Sequence, residues 1–356
     1  MYAAIALMDA EESEERERRI QRRRLRDHTN VMELPETEFV ANFRINKEIF
    51  QYILNELQEH MAPSHRSTHL SHQLKLATFL RFLATGSYQK SVGNENISSM
   101  GQSTAAKVIK ECLNIFEDHF CQKWVNFRRN NDEENAVKEY FFEKYGIPGV
   151  IGCVDGTHVR IKSPGSDNLH LYLNRKGFYS VNVMAICDHN MDIKFVDARH
   201  PGANHDSFVW NVSVAEQELK SDYNNGKTNT WLLGDSGYPL QPYLMTPFRS
   251  AADGIQRNYN TKHSKARNVI ERCFGVLKNR FRCIIGSRGL HYSPEKVTQI
   301  VNVCCAIHNV CIFFKHQIPL EIPDMENLVS YEEELENSNI SNTAALIRMR
   351  IAESLL

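Results

Sequence analysis

With 356 residues, 42% apolar and 24% charged, the chain has room for two or three domains and too much apolar content for wholesale disorder. Its 42 Lys+Arg against 43 Asp+Glu leave a net charge of -1, which taken alone argues against a nucleic-acid partner. The balance is local, however: residues 256–296 hold ten Lys or Arg against two acids, and 316–340 hold seven acids and no Lys or Arg. Nine cysteines without a C-x-x-C pair read as reduced thiols of an intracellular protein rather than a disulfide framework. Residues 1–8 lack a basic n-region, so no secretory signal is expected, and no stretch reads as the run of about 18 apolar residues that a membrane span needs.

Residues 11–26 mix acids with seven arginines, EESEERERRIQRRRLR. Charges four apart pair on a solvated helix. Alternatively, Arg22-Arg23-Arg24 with Arg26 serves as a nuclear address or a phosphate-contacting arm. From 37 to 131 the pattern is helical: Phe50, Ile53, Leu54 and Leu57 recur at three and four, as do Leu76, Phe79, Leu80 and Leu83, and Gly86 stands where a helix would stop. A further helix starts at Gln102-Ser103-Thr104, with Ser103 as its cap, Val108, Ile109, Cys112 and Leu113 inward, and Lys107 and Lys110 outward. Two helices so arranged suggest a helix-turn-helix, though a plain helical bundle has the same pattern.

The polar run 130–135 and the turn-rich Tyr145-Gly146-Ile147-Pro148-Gly149 mark a boundary. The expected domains are a charged segment 1–36, a helical domain 37–131, an α/β domain 148–313 and a flexible acidic tail 316–356. Within the third, 150–154 is a buried strand ending at Asp155, with a turn at Gly156. Residues 179–187 and 193–198 form a hairpin, 206–219 a helix, and 231–233 a strand ending at Gly234-Asp235. Residues 264–282 make an amphipathic helix with Ile270, Phe274, Leu277 and Phe281 along one stripe, followed by an apolar helix at 294–315. Cys304-Cys305-x-x-His308 falls inside that apolar run and reads as core packing rather than a metal site.

Three acids carry the chemistry. Asp155 and Asp235 end apolar strands, where aspartate is costly unless paired or functional, and Glu271 borders the stripe of the basic helix. Each has a plainer explanation: Asp155-Gly156 is a hairpin dipeptide, Asp235 can open a turn, and Glu271 can pair with Arg267 four residues earlier. Together, convergent carboxylates need a counter-charge, which hard divalent cations, Mg²⁺ or Mn²⁺, supply. Two such ions activate water and steady the leaving oxygen in phosphodiester cleavage, and neighbouring Arg and Lys hold the phosphates.

Five ordered motifs are Val154-Asp155-Gly156-Thr157-His158, Asn174-Arg175-Lys176-Gly177, Pro201-Gly202-x-x-His205-Asp206-Ser207, Leu233-Gly234-Asp235-Ser236-Gly237-Tyr238-Pro239 and Ile270-Glu271-Arg272-x-Phe274-Gly275-x-Leu277-Lys278. Over roughly 70–313 the chain resembles the PIF/Harbinger transposases and their derived nucleases. That resemblance implies an α/β fold: a ribonuclease-H-like mixed-sheet nuclease domain preceded by an all-helical, helix-turn-helix-like DNA-binding domain, here departing from the family pattern at Gly101 and Ala105-Ala106. It implies catalytic Asp155, Asp235 and Glu271, which with Asp206 as a fourth acid hold Mg²⁺ or Mn²⁺. Asp206 has its own plain reading, as a first-turn helix acid. Expected DNA contacts are Lys107, Lys110, Arg267, Arg272 and Lys278. His158 and His205 read as polar-edge histidines or as groups that orient water or phosphate.

The expected function is hydrolysis of DNA phosphodiester bonds. The competing reading is a catalytically silent, domesticated DNA-binding or adaptor protein. By resemblance the expected partners are DNA and a Myb/SANT-like DNA-binding protein, the latter met by the acidic tail around Glu332-Glu333-Glu334, with no membrane role, an open oligomeric state, and residence in nucleus and cytoplasm.

Overall fold

The computed structural model describes residues 13–14, 16–18, 20–21, 23–24, 30–61, 70–86, 99–128, 130–165, 168–285, 289–317 and 342–355. Two compact units emerge: the described residues up to Phe120 together with Phe281–Cys283, and the described residues of Cys121–Arg280 and Ile284–Leu356.

The first unit is helical. Its described residues before 25 are helical and exposed, with Arg18 paired to Glu14 as the solvated-helix reading expects. Arg22 and Arg26 lie outside the described residues. Helices α1 (Glu36–Phe43) and α2 (Lys47–Leu57) lock together through Phe39, Phe43 and Phe50, all fully buried, with ring centroids 4.7–6.2 Å apart. Helix α3 (His72–Thr85) buries Leu76, Phe79, Leu80 and Leu83 and packs on α4 (Gln102–Phe116), where Phe79 meets Phe116 at 5.2 Å. Gly86 ends α3 with φ +65°, and a Cβ there would fall 2.9 Å from the Cα of Cys283, so both backbone and space demand glycine. The cap of α4 is Gly101, without a side-chain bond, and the expected cap Ser103 is already inside the helix. Sixteen residues separate α3 from α4, and 87–98 of these lie outside the described residues.

The second unit begins at Cys121, ahead of the expected boundary at 130–135. The polar run at 130 is the N-terminus of α5 (Asn131–Tyr145), where the Asn130 side chain accepts from the amide of Glu133 at 2.8 Å. Its apolar Val137 and Phe141 are buried and the helix packs on β1, so it belongs to the α/β unit rather than to the helical one. Strand β1 (Val150–Arg160) runs unbroken through Asp155 and Gly156, which corrects the expected strand end and turn. Antiparallel pairing of residues 153–160 with β2 (Ser180–Cys187) holds this segment extended. The expected hairpin continues from β2 into β3 (Ile193–Pro201). Between β1 and β2 lies the short helix α6 (Leu169–Tyr172).

The expected helix at 206–219 is two helices, α7 (Asp206–Asn211) and α8 (Val214–Asn224), because Ser213 caps a new start by accepting from the amide of Glu216. Strands β4 (Trp231–Leu233) and β5 (Leu244–Met245) complete a five-stranded sheet of order β3-β2-β1-β4-β5, with β4 and β5 parallel to β1. This mixed sheet is the ribonuclease-H-like arrangement. One face packs α7 and α8 through Ile151, Val154, Met184, Val209, Trp210 and Leu219. The other carries α9 (Gly254–Arg280), which starts ten residues before its apolar stripe suggests, and α10 (Pro294–Phe313).

Helix α10 corrects the reading that no stretch is long and apolar enough to span a membrane. By length and composition it is, but 67% of its most apolar window is buried in the unit. Cys304, Cys305 and His308 are buried there, His308 donating through Nε2 to the carbonyl of Met191 at 2.9 Å. All nine cysteines are buried thiols. The end of the expected flexible tail is helix α11 (Asn342–Glu353), packed on α9.

Candidate active site

Strand register gathers the carboxylates. Cys153 of β1 pairs with Leu233 of β4 in parallel, and Asp155 and Asp235 each follow two residues later. Adjacent strands lie about 4.8 Å apart, so the two acids emerge at matched positions on one side of the sheet. Cys153, two residues before Asp155, bonds the carbonyl of Ala266, which sets this side against α9. The Asp155 carboxylate accepts from its neighbour's amide, Gly156, at 2.8 Å, and that of Asp235 from the amide of Gly237 at 2.9 Å.

Asp206 opens α7 on the other face of β1. It reaches the same edge because Gly156 has no side chain: a Cβ there would fall 2.9 Å from Asp206 Cγ. Asn182 of β2 fixes it, donating to Asp206 Oδ1 at 2.9 Å and to the Asn204 carbonyl at 3.0 Å. Burial, the largest cause, raises Asp155 to a pKa of about 7, opposed by Arg267 and reinforced by Asp235 and Asp206. Asp235 is raised as well, by burial and then by Asp206. Tyr238 is 2% exposed and its hydroxyl has no hydrogen-bond partner among the described residues, while burial and the same three aspartates push its pKa upward. Negative charge is under-compensated here.

Arg267 supplies the counter-charge present. Its guanidinium donates to Asp155 Oδ2 at 2.8 Å and also pairs with Glu271. The expected phosphate contact is therefore turned inward, with its side chain 12% exposed, and Glu271 makes the pairing that its spacing allowed. Among the described residues, no three His, Cys, Asp or Glu stand close enough together to hold one metal ion. The oxygen-only donor set and the buried excess of negative charge nonetheless suit a hard divalent cation.

The side chains around the carboxylates are held as well. Lys278, half-buried two turns beyond Glu271, donates to Thr157 Oγ1 at 2.6 Å, and burial with the charge of Lys176 lowers its pKa to about 8. His158 Nδ1 meets Ser180 Oγ at 3.1 Å, and His205 accepts from the amide of Ser207 as the cap of α7. Burial lowers both histidine pKa values, which keeps the rings neutral at pH 7.

A family described as DDE superfamily endonuclease matches residues 154–309. The protein named "Putative nuclease HARBI1" from Bos taurus is 32% identical over 290 residues, 80% of each chain. Its Homo sapiens counterpart is 31% identical over the same length and coverage. The chain belongs to the Harbinger transposase-derived nuclease family. An Arabidopsis thaliana relative, "Protein ALP1-like", is 26% identical over 299 residues, 78% of this chain and 71% of that one. No solved structure matches.

Family membership accounts for the sheet order and for the nuclease kind of this chain. The other expected DNA contacts divide. Lys107, Lys110 and Arg272 are exposed on their helices, whereas Arg267 and Lys278 point into the site. Sequence reasoning missed Tyr238, because nothing in the Gly-Asp-Ser-Gly-Tyr-Pro run says that the tyrosine is buried. It also took Gly156 for a turn residue, whereas its lack of a side chain is what admits Asp206.

Proposed function

We propose that this chain hydrolyses DNA phosphodiester bonds with Mg²⁺ or Mn²⁺ held by Asp155, Asp206 and Asp235, with Glu271 joining when Arg267 releases it. The observation that carries the reading is the buried, under-compensated cluster of three aspartates built from three elements of a nuclease fold. When bound, the cations supply water activation and stabilise charge on the leaving oxygen. The chain's own residues set the geometry: Asn182 orients Asp206, the amides of Gly156 and Gly237 orient Asp155 and Asp235, and Arg267 offsets the cluster's charge. Exposed cations, Lys107 and Lys110 in the helical unit and Arg272 in the α/β unit, each suit a phosphate contact.

The test is nicking of supercoiled plasmid by purified protein with Mg²⁺ or Mn²⁺. Asp155→Asn and Asp235→Asn should each abolish it, and equal nicking by parent and variants would refute the assignment. The silent DNA-binding or adaptor reading draws support from the absence of a gathered metal cluster among the described residues and from Arg267 bridging Asp155 and Glu271. No heat of divalent-metal binding by calorimetry, with DNA binding intact, would favour it. The family resemblance also supports residence in nucleus and cytoplasm and a Myb/SANT-like partner that assists nuclear entry, met by the acidic tail outside the described residues. Unchanged localisation with and without that partner would count against it.

A further inference from the structure

The motif Asn174-Arg175-Lys176-Gly177 has no part in the metal site, yet the fold builds it with care. Leu173 and Tyr179 bridge antiparallel, and the amide of Asn174 donates to the carbonyl of Phe178 at 3.0 Å, closing a tight loop just before β2. The Asn174 side chain, 4% exposed, organises that loop. Its Oδ1 accepts from the amides of Lys176 at 3.0 Å and Phe178 at 3.3 Å, while its Nδ2 donates to Ser180 Oγ at 2.9 Å. Gly177 completes the turn at φ +76°, a conformation that L side chains rarely adopt. Below it, the Arg160 guanidinium lies 4.5 Å from the ring of Phe178.

All this order presents two exposed cations, Arg175 and Lys176. The turn is joined to the carboxylates through direct contacts: Asn174 to Ser180, Ser180 to His158, His158 paired across the ladder with Asn182, and Asn182 to Asp206. The charges are felt there, since Arg175 helps lower the pKa of His158 and His205 after burial, and Lys176 does so for His158 and Lys278. A self-folded turn that spends a buried asparagine on holding two cations beside an acidic cluster is suited to an anion that spans both. Such an anion is a phosphodiester chain, one phosphate at the carboxylates and its neighbours a few ångströms along.

We propose that the turn of Asn174, Arg175, Lys176 and Gly177 is a phosphate-backbone clamp that seats the strand next to the bond being cut. The inference rests on the nuclease reading for its substrate class. Its test is separable from that reading because it measures binding without turnover. Affinity of the full chain for a short DNA duplex is measured in chelator as a function of salt, for the parent, Arg175→Ala/Lys176→Ala and Arg175→Lys/Lys176→Arg. Each phosphate contact contributes about 0.9 to the slope of log affinity against log salt. The alanine pair should flatten the slope by about 2 and weaken binding alike for unrelated sequences, and a thermal melt of the same variant checks that it is folded. The charge-preserving swap should keep the parental slope. Asn174→Ala, with both cations present but the turn unfixed, should show an intermediate slope. A parental slope in the alanine pair overturns the clamp, and so does a parent that does not bind DNA. If the slope changes as expected but the parent with Mn²⁺ does not nick plasmid, the clamp stands and the nuclease reading falls.

Discussion

Gly156→Ala tests whether the site is built as described. The backbone is an ordinary strand, with Gly156 opposite Met184 of β2, so alanine meets no conformational obstacle there. The obstacle is Asp206: the new Cβ would lie 2.9 Å from its Cγ, 3.2 Å from Oδ2 and nearer still to Oδ1. Carbon and oxygen atoms in comfortable contact stand about 3.5–4.0 Å apart, so the carboxylate must retreat by about 1 Å. Its Oδ1 is held by Asn182 at 2.9 Å, so the retreat strains that bond as well. Overpacking of this kind costs about 1–3 kcal/mol of stability. A 1 Å misplacement of a reacting group costs roughly 10²-fold in rate. Thermal melts in chelator and plasmid nicking at fixed Mn²⁺ read the two effects separately. The double variant Gly156→Ala/Asp206→Ala should recover the melting temperature, since the clash is gone, without recovering nicking. Parental nicking and stability in Gly156→Ala would refute the packing argument, and parental nicking in the double variant would remove Asp206 from the site.

Further outcomes follow from the same structure. Asp155 has a folded pKa of about 7 against an ordinary value of about 3.9, so the folded state holds its proton more tightly. Its stabilising effect is full below about pH 4 and is lost as pH rises to about 7, an upper bound of roughly 4 kcal/mol. Denaturant titrations in chelator at pH 5 and 8 should show this decline in the parent and a flatter one in Asp155→Asn; identical declines would show that Asp155 is not so perturbed. Tyr238→Phe removes a buried hydroxyl that has no partner among the described residues, so stability should hold or rise by about 1–3 kcal/mol; a clear loss would mean that the hydroxyl is bonded. Arg348 of α11 donates to the Pro247 carbonyl at 2.9 Å and lies 4.0 Å from the Phe248 ring. Arg348→Ala should cost about 1–3 kcal/mol in a thermal or denaturant melt, and no cost would return this helix to the status of a tail.

The sequence was most legible where apolar periodicity is long. Ile270, Phe274, Leu277 and Phe281 are all buried, and the hairpin of β2 and β3 stands as expected. It misled where one dipeptide serves two purposes. Asp155-Gly156 reads as a turn from local preference, but eight consecutive pairs with β2 outweigh that preference, and the glycine is needed for space rather than flexibility. Strand β5 is two residues long, too short for any pattern. The polar first turns of α9 resemble a loop because the segment's buried residues there, Tyr259 and His263, are spaced among polar ones. Helix α11 escaped because it follows an acidic run, although Lys262 and Asn258 of α9 both donate to the carbonyl of Leu355 just past its end.

The basic block of 256–296 was the reason to expect phosphate contacts, and the structure divides it. In the α/β unit, Arg257, Lys265 and Arg272 are exposed, while Arg267 and Lys278 turn into the site and Arg280 is buried against the carbonyl of His316. The inward pair answers a need that the block's net charge does not reveal. Asp155, Asp206 and Asp235 cannot all be ionised close together without positive charge, and Arg267 provides it in the metal-free protein. That same bridge draws Glu271 to Arg267, which explains why four acids on one sheet edge do not close around a single point. The exposed cations that remain on α9 are fewer than the sequence suggested, and Arg175 and Lys176 add two more at the turn before β2. On the proposed reading, a chain with a net charge of -1 would meet a polyanion through small, separate groups of cations rather than through a broad positive field.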